Sequence, residues 1–313
     1  MDTSRPAVKQ LDHIIALVED PRRTFVALTE TLGLPVAWPL ESYPAFESGG
    51  VALGNLYLEV MRCGPPRAGR AGRFCALAFE SPDIEEAARE LSRRGLPHTP
   101  VAPYYERGPG GERIKMRSNT VLGRMVGKDF LLDTTVLLSR LPGATLLSDA
   151  GSGSRLDRWQ ISKLFERNVV FLVEFYYENF GGRPFWSGFK DHGEKRAADA
   201  ARLGEAGGGA IGLERVREVV AGVRDFAGVR ELWRSLYAPA DEVAEGVWEV
   251  GDGPALRLVG AENDSIQSLV LEVSSLGRAE TSLRESGMLG TVTDNEITID
   301  PSKLEGLDVR LVA

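Results

Sequence analysis

Residues 11–18, Leu11-Asp12-His13-Ile14-Ile15-Ala16-Leu17-Val18, decide how the rest of the chain is read. An apolar run of this length reads as a buried strand, and it carries a histidine, His13, in its interior. Beyond it, Phe25, Leu28 and Leu32 recur at spacings of three and four, which predicts a helix over 21–32 closed by Gly33. Three short strand-like runs follow, 35–39, 45–53 and 56–60, with Gly49-Gly50 and Gly54-Asn55 as turn signals. The unit is strand, helix, strand, strand, strand.

The pattern restarts three times. Phe74-Cys75-Ala76-Leu77-Ala78-Phe79 opens a second copy; its helix over 83–94 sets Ala87 and Leu91 on the apolar side and stops at Gly95-Leu96, as the first stops at Gly33-Leu34. A third copy opens at Leu213-Glu214-Arg215-Val216 and continues through a helix over 228–237 to strands at 246–250 and 255–259. A fourth runs from a strand over 266–273 through a helix over 278–286 to strands at 296–300 and 307–312. The expected fold class is therefore α+β, with four βαβββ units paired into two half-barrel domains. The domains are expected at 1–200, with an insertion at about 103–165, and at 201–313. Within the insertion, residues 143–155 are rich in Gly and Ser and 158–167 predict a short helix. It reads either as a lid hinged at 108–111 and 143–154 or as a decoration. The stretch 180–209, ending in Gly207-Gly208-Gly209, reads as a linker with a polar helix inside it.

Composition narrows the function classes. Of 313 residues, 43% are apolar, which excludes a disordered chain. Lys+Arg 37 against Asp+Glu 45 leaves a net charge of −8, which argues against a general nucleic-acid binder, whose affinity comes from basic residues on phosphates. No run approaches the ~18 to 20 apolar residues of a membrane helix, and residues 1–6 carry no signal-peptide core, so a cytoplasmic location is expected. Cys63 and Cys75 are too few for a disulfide framework. The expected partner is a small-molecule substrate, with a homodimer as the protein association left open and no nucleic acid or membrane.

The repeat, with Leu11-Asp12-His13-Ile14, Tyr57-Leu58-Glu59-Val60, Cys75-Ala76-Leu77 and Val170-Phe171-Leu172-Val173-Glu174-Phe175 in its strands, resembles the vicinal oxygen chelate superfamily. That superfamily includes glyoxalase I, extradiol dioxygenases, methylmalonyl-CoA epimerase and bleomycin-resistance proteins. The first half is most similar to the bacterial glyoxalase-like domain proteins. The resemblance implies a divalent metal inside the first half-barrel, with ligands at His13, Glu59 and Glu174. The fourth position falls on Cys75, by the offset that carries Gly33 onto Gly95, and Cys75 departs from the ligand types expected there.

The residues themselves bear on this expectation. His13 and Glu59 interrupt apolar strands, where an unpaired charge costs several kcal/mol that a cation would offset. A histidine with two carboxylates suits Zn, Mn, Fe or Ni, which would polarise a substrate's oxygens; Glu174 is also the expected base. Cys75, Tyr176 and Trp186 are expected to contact substrate. Each residue has a plainer reading: His13 as a hydrogen-bonded core residue, Glu59 and Glu174 on an outer sheet face, Cys75 as a small buried residue. His98 reads as a turn residue. His192 reads as part of a solvated loop or as a late ligand reaching over the half-barrel.

In the second half the matching positions are Arg215, Arg257, Gln267 and Arg310, so no ligand set remains there. That half reads as a structural or regulatory partner or an anion-binding cup, or its arginines lie solvated on the outer face. Two functions stay open: a metal-dependent lyase, isomerase or dioxygenase acting on a small oxygenated substrate, and a metal-free small-molecule binding or resistance protein. In the second, Tyr104, Tyr105, Tyr176, Tyr177 and Trp186 would stack on the ligand.

Overall fold

The structure is a computed structural model that describes residues 5–43, 46–64, 72–107, 112–123, 168–181 and 185–313. The expected hinges at 108–111 and 143–154 and the expected helix at 158–167 lie outside the described residues.

The opening stretch forms β1 (Gln10–Leu17), the hub of the N-terminal half. It pairs in parallel with β4 (Tyr57–Cys63) and antiparallel with β5 (Arg73–Glu80). Strands β2 (Val36–Ser42) and β3 (Phe46–Ala52) extend the β4 side as an antiparallel meander. On the other side β5 pairs in parallel with β8 (Val169–Phe175), followed antiparallel by β7 (Arg113–Leu122) and β6 (Ala102–Arg107). The C-terminal half repeats this logic. There β9 (Leu213–Val223) and β12 (Ser265–Val273) are the antiparallel centre. β11 (Ala255–Gly260) and the two-residue β10 (Val247–Trp248) flank one side. β15 (Asp308–Val312), β14 (Ile297–Ile299) and β13 (Leu289–Val292) flank the other. Ile266 pairs with Phe74, so β12 and β5 fuse the halves into one 15-stranded sheet.

Helices cover one face of each half. In α1 (Pro21–Val26) the Asp20 side chain accepts from the Arg23 amide and Pro21 fixes the first turn; Ala27–Thr31 continue it as a wider π turn, and Gly33 ends it at φ 67°. In α2 (Ile84–Arg93), Asp83 caps the Glu86 amide and Gly95 ends the helix at φ 70°. Leu28 and Leu32 of the first helical segment and Ile84, Ala87 and Leu91 of α2 pack with Ile14, Leu58, Leu77 and Leu172 in the main core. α4 (Phe226–Tyr237) and α5 (Leu276–Glu285) bury Val229, Trp233, Ala279 and Leu283 in the same way.

Three expectations change. Gly49-Gly50 is not a turn but the middle of β3, where a side chain on Gly50 would collide with the indole of Trp38, its cross-strand partner. Gly207-Gly208-Gly209 is not a flexible tether: all three have positive φ, and the Ala210 amide donates to Leu32 O, which locks the turn against the end of the first helix. The polar helix is α3 (His192–Glu205), so residue 200 falls inside a helix. Its buried face holds His192, Lys195, Arg196 and Asp199, and all four bond to the N-terminal half.

Candidate functional site

A cavity of about 270 Å³ opens on the sheet face of the N-terminal half turned away from α1 and α2. Its walls are aromatic. Trp38 and Trp186 have ring centroids 5.5 Å apart, Trp186 stacks on Phe180 at 5.0 Å, and Phe175 stacks on His192 at 4.8 Å. His13, Glu59 and Ser48 supply polar groups.

Two irregularities in strand pairing aim side chains into this cavity. Along β1, Leu11 pairs with Phe79 and His13 with Ala78, so the pairing skips Asp12. A bulge of this kind places neighbouring side chains on one face where plain alternation would part them; Asp12 and His13 both line the cavity. Along β7, Tyr104 pairs with Arg117 and Tyr105 with Lys115, skipping Met116, and both Met116 and Arg117 line the cavity.

Asp12 is the hub of a buried network. Its Oδ2 accepts from His13 Nδ1 at 2.7 Å, its Oδ1 accepts from His192 Nε2, and Arg196 Nη1 donates to Oδ1 at 3.2 Å. The Tyr177 hydroxyl lies 2.6 Å from His192 Nδ1. Burial alone would raise the Asp12 carboxyl. The charge of His192 and the hydrogen bonds from both rings outweigh it and hold Asp12 well below the usual carboxylate range. Beside this network, Lys195 is fully buried and bonds Asp199 at 2.6 Å; burial keeps its ammonium below the usual lysine range against the pull of Asp199.

With Nδ1 donating to Asp12, neutral His13 presents a lone pair at Nε2. That atom lies 3.6 Å from Glu59 Oε2, while Ser48 Oγ donates to Glu59 Oε1. Two acceptors thus face each other across a gap that a proton, a ligand donor or a cation would bridge.

The third ligand expected with them does not join. Residues 173–175 pair without interruption to 117–119, so alternation turns Phe175 into the cavity and Glu174 to the helix side. There the Glu174 carboxylate accepts from the Ile84 amide at the start of α2 and from the Tyr176 hydroxyl at 3.0 Å. Tyr176, also expected at the substrate, lies on that side with Lys115 over its ring. Cys75 is buried against Ile15, Met61 and Val169, and burial pushes its thiol up to about 12, so it offers no thiolate. Trp186 does line the cavity. His98 bonds Ser92 and Thr99 O away from it.

Asp12, Glu80 and His192 form a three-residue cluster with metal-ligand chemistry, their donor atoms within 4.8 Å of one another. Those atoms already have partners: Lys9 and Gln10 donate to Glu80, and Arg196 and both histidines donate to Asp12. A guanidinium on a ligand carboxylate opposes a second cation there. The donor set that faces open space is His13 Nε2 with Glu59. A resident ion held by His13, Glu59 and Glu174 together does not fit.

Asp12, Arg117, Phe175 and Trp38 were not singled out from sequence. Asp12 and Arg117 depend on bulges that no composition signal marks, and Phe175 depends on register. Trp38 had a signal, a tryptophan opposite a Gly-Gly pair, which read as a turn instead.

No protein-family model matches the chain, and no curated protein matches it. Solved structures match its fold. A hypothetical protein from Staphylococcus aureus is similar with a TM-score of 0.53 at 10% identity, over 96% of this chain and 98% of that one. Two variants of homoprotocatechuate 2,3-dioxygenase from Brevibacterium fuscum, one in complex with HPCA, are similar with TM-scores of 0.51 and 0.50 at 11% identity, over 100% of this chain and 73% of each. The likeness to an extradiol dioxygenase read from the repeat is met at the level of the fold. Among the described residues, no helix is long and apolar enough to cross a membrane.

Proposed function

We propose that the N-terminal cavity binds a small aromatic, oxygenated molecule and that His13 and Glu59 accept a proton from it. The observation that carries this reading is the facing pair of acceptors, His13 Nε2 and Glu59 Oε2, 3.6 Å apart in an aromatic-walled cavity. A ligand hydroxyl set between them donates to Nε2. The imidazolium that forms is flanked by Asp12 on one side and Glu59 on the other, which stabilises its charge. Ser48 holds the second oxygen of Glu59, and α3 closes the back of the site with His192 and Arg196 fixed on Asp12. The aromatic walls orient the ring and exclude water.

The test is binding of 2-naphthol to chelator-treated protein, followed by the ultraviolet absorbance that distinguishes naphthol from naphtholate. Binding with proton transfer to the protein, weakened at least ~10-fold by His13→Ala and by Glu59→Gln, is expected. Absence of binding to the wild type, or affinity unchanged in both variants, overturns the reading.

One observation favours a second reading. A carboxylate on Nδ1, as Asp12 is on His13, is the usual support of a metal-bound histidine. A divalent ion (Zn, Mn, Fe or Ni) would be held by His13 and Glu59 and would supply Lewis-acid polarisation of substrate oxygens. Titration with Mn(II) and Zn(II), followed by naphthol binding, separates the two: strict metal dependence of binding supports this second reading.

A further inference from the structure

The cavity holds a cationic group that the His13 and Glu59 pair does not use. Arg117 enters it beside the Met116 bulge, and its guanidinium lies over the Tyr104 ring at 4.8 Å. Its Nε is buried and has no hydrogen-bond partner among the described residues. A buried donor left unmade is costly, and native structures keep few of them.

Among the described residues, no carboxylate around the cavity bonds Arg117. Glu41 accepts from the Tyr43 hydroxyl at 3.1 Å, Glu59 from Ser48, and Asp12 from His13, His192 and Arg196. A planar, two-oxygen acceptor is the partner that a guanidinium binds best. Directly across the strand from Arg117 stands Phe175, part of the aromatic wall. The cationic edge and the ring surface are therefore neighbours, as a carboxylate and its ring are neighbours in an aromatic acid. At about 270 Å³ the cavity exceeds the ~150 Å³ that holds benzene in a protein core.

We infer that Arg117 is the specificity-determining residue of this cavity and that the ligand class is aromatic carboxylates. The inference rests on the proposed binding role of the cavity and adds the anionic group to its ligand.

The experiment compares 2-naphthoate with 2-naphthamide, which share a ring and differ in charge, by calorimetry on wild type and Arg117→Met, with melting curves to show that both are folded. Wild type should bind the carboxylate ~10- to 100-fold more tightly than the amide, as charge-assisted hydrogen bonds provide. Arg117→Met should erase that preference, and Arg117→Lys should restore part of it. Equal binding of acid and amide by the wild type, or a preference that survives in Arg117→Met, overturns the inference while naphthol binding still upholds the cavity. If naphthol, naphthoate and naphthamide all fail to bind the wild type, the reading of the cavity itself falls and this inference with it.

Discussion

On the sheet face turned away from the helices, the N-terminal half carries Trp38, Phe175 and His13, whereas the C-terminal half carries Arg215, Arg257 and Arg310. The C-terminal arginines pair with Glu272, Glu218 and Asp308 on neighbouring positions, and their side chains remain 61%, 43% and 41% exposed. Of the readings that the sequence left open for these arginines, the structure selects the solvated, paired face over an anion cup. The difference lies in what covers each sheet. α3 packs over the N-terminal face, where the buried Asp12 is paired with two histidines and Arg196. Water reaches the C-terminal face, where ion pairs form freely and each is worth little.

The contrast predicts unequal costs for similar-looking substitutions. Asp12→Ala removes the partner of buried cationic groups and should destabilise by about 3–5 kcal/mol in urea unfolding, whereas Asp308→Ala should cost about 1 kcal/mol or less. Equal costs would break the comparison. Gly50→Ala drives a methyl group into the Trp38 indole; it should lower stability by about 1–3 kcal/mol and reduce ligand uptake in the N-terminal half alone.

The junction between the halves should be acid-sensitive. Glu90 accepts from Arg93 and Arg94, and these hydrogen bonds lower its carboxyl from 4.5 to about 2; Arg94 in turn donates to Ser235 O and Leu236 O of α4. A depressed carboxylate contributes stability that is present above its ordinary value and lost as pH falls through the depressed one. Melting temperature should therefore drop between pH 4.5 and 2 through this group, and Glu90→Gln should flatten that part of the profile while lowering stability at neutral pH. Arg257→Ala should change stability by less than about 1 kcal/mol. The smallest effect is expected at Cys75, which burial raises to about 12: iodoacetamide at pH 8 should leave it unlabelled in native protein and label it in urea.

Much of the strand and helix order was legible because it is periodic. The runs that became β1, β5, β9 and β12 carry their apolar pattern openly, and Gly33 and Gly95 mark helix ends by the left-handed conformation glycine adopts without strain. His13 and Glu59 were legible as a pair because a polar residue stands out in an apolar strand. Glu174 stood out in the same way, yet its register faces it toward α2, and a shift of one residue exchanges every side chain between faces.

His192, read between solvated loop and late ligand, is buried on Asp12 because α3 packs against the cavity. The sequence by itself determined the strands and helices and marked His13 and Glu59 as polar residues in apolar strands, since apolar periodicity and local propensity act over a few neighbouring residues. Tertiary structure alone decided that Asp12 joins His13, that Arg117 enters the cavity, that Glu174 leaves it and that the arginines of the C-terminal half stay exposed. Those outcomes depend on bulges, register and what packs over each sheet face, all of which are set between segments far apart in the chain.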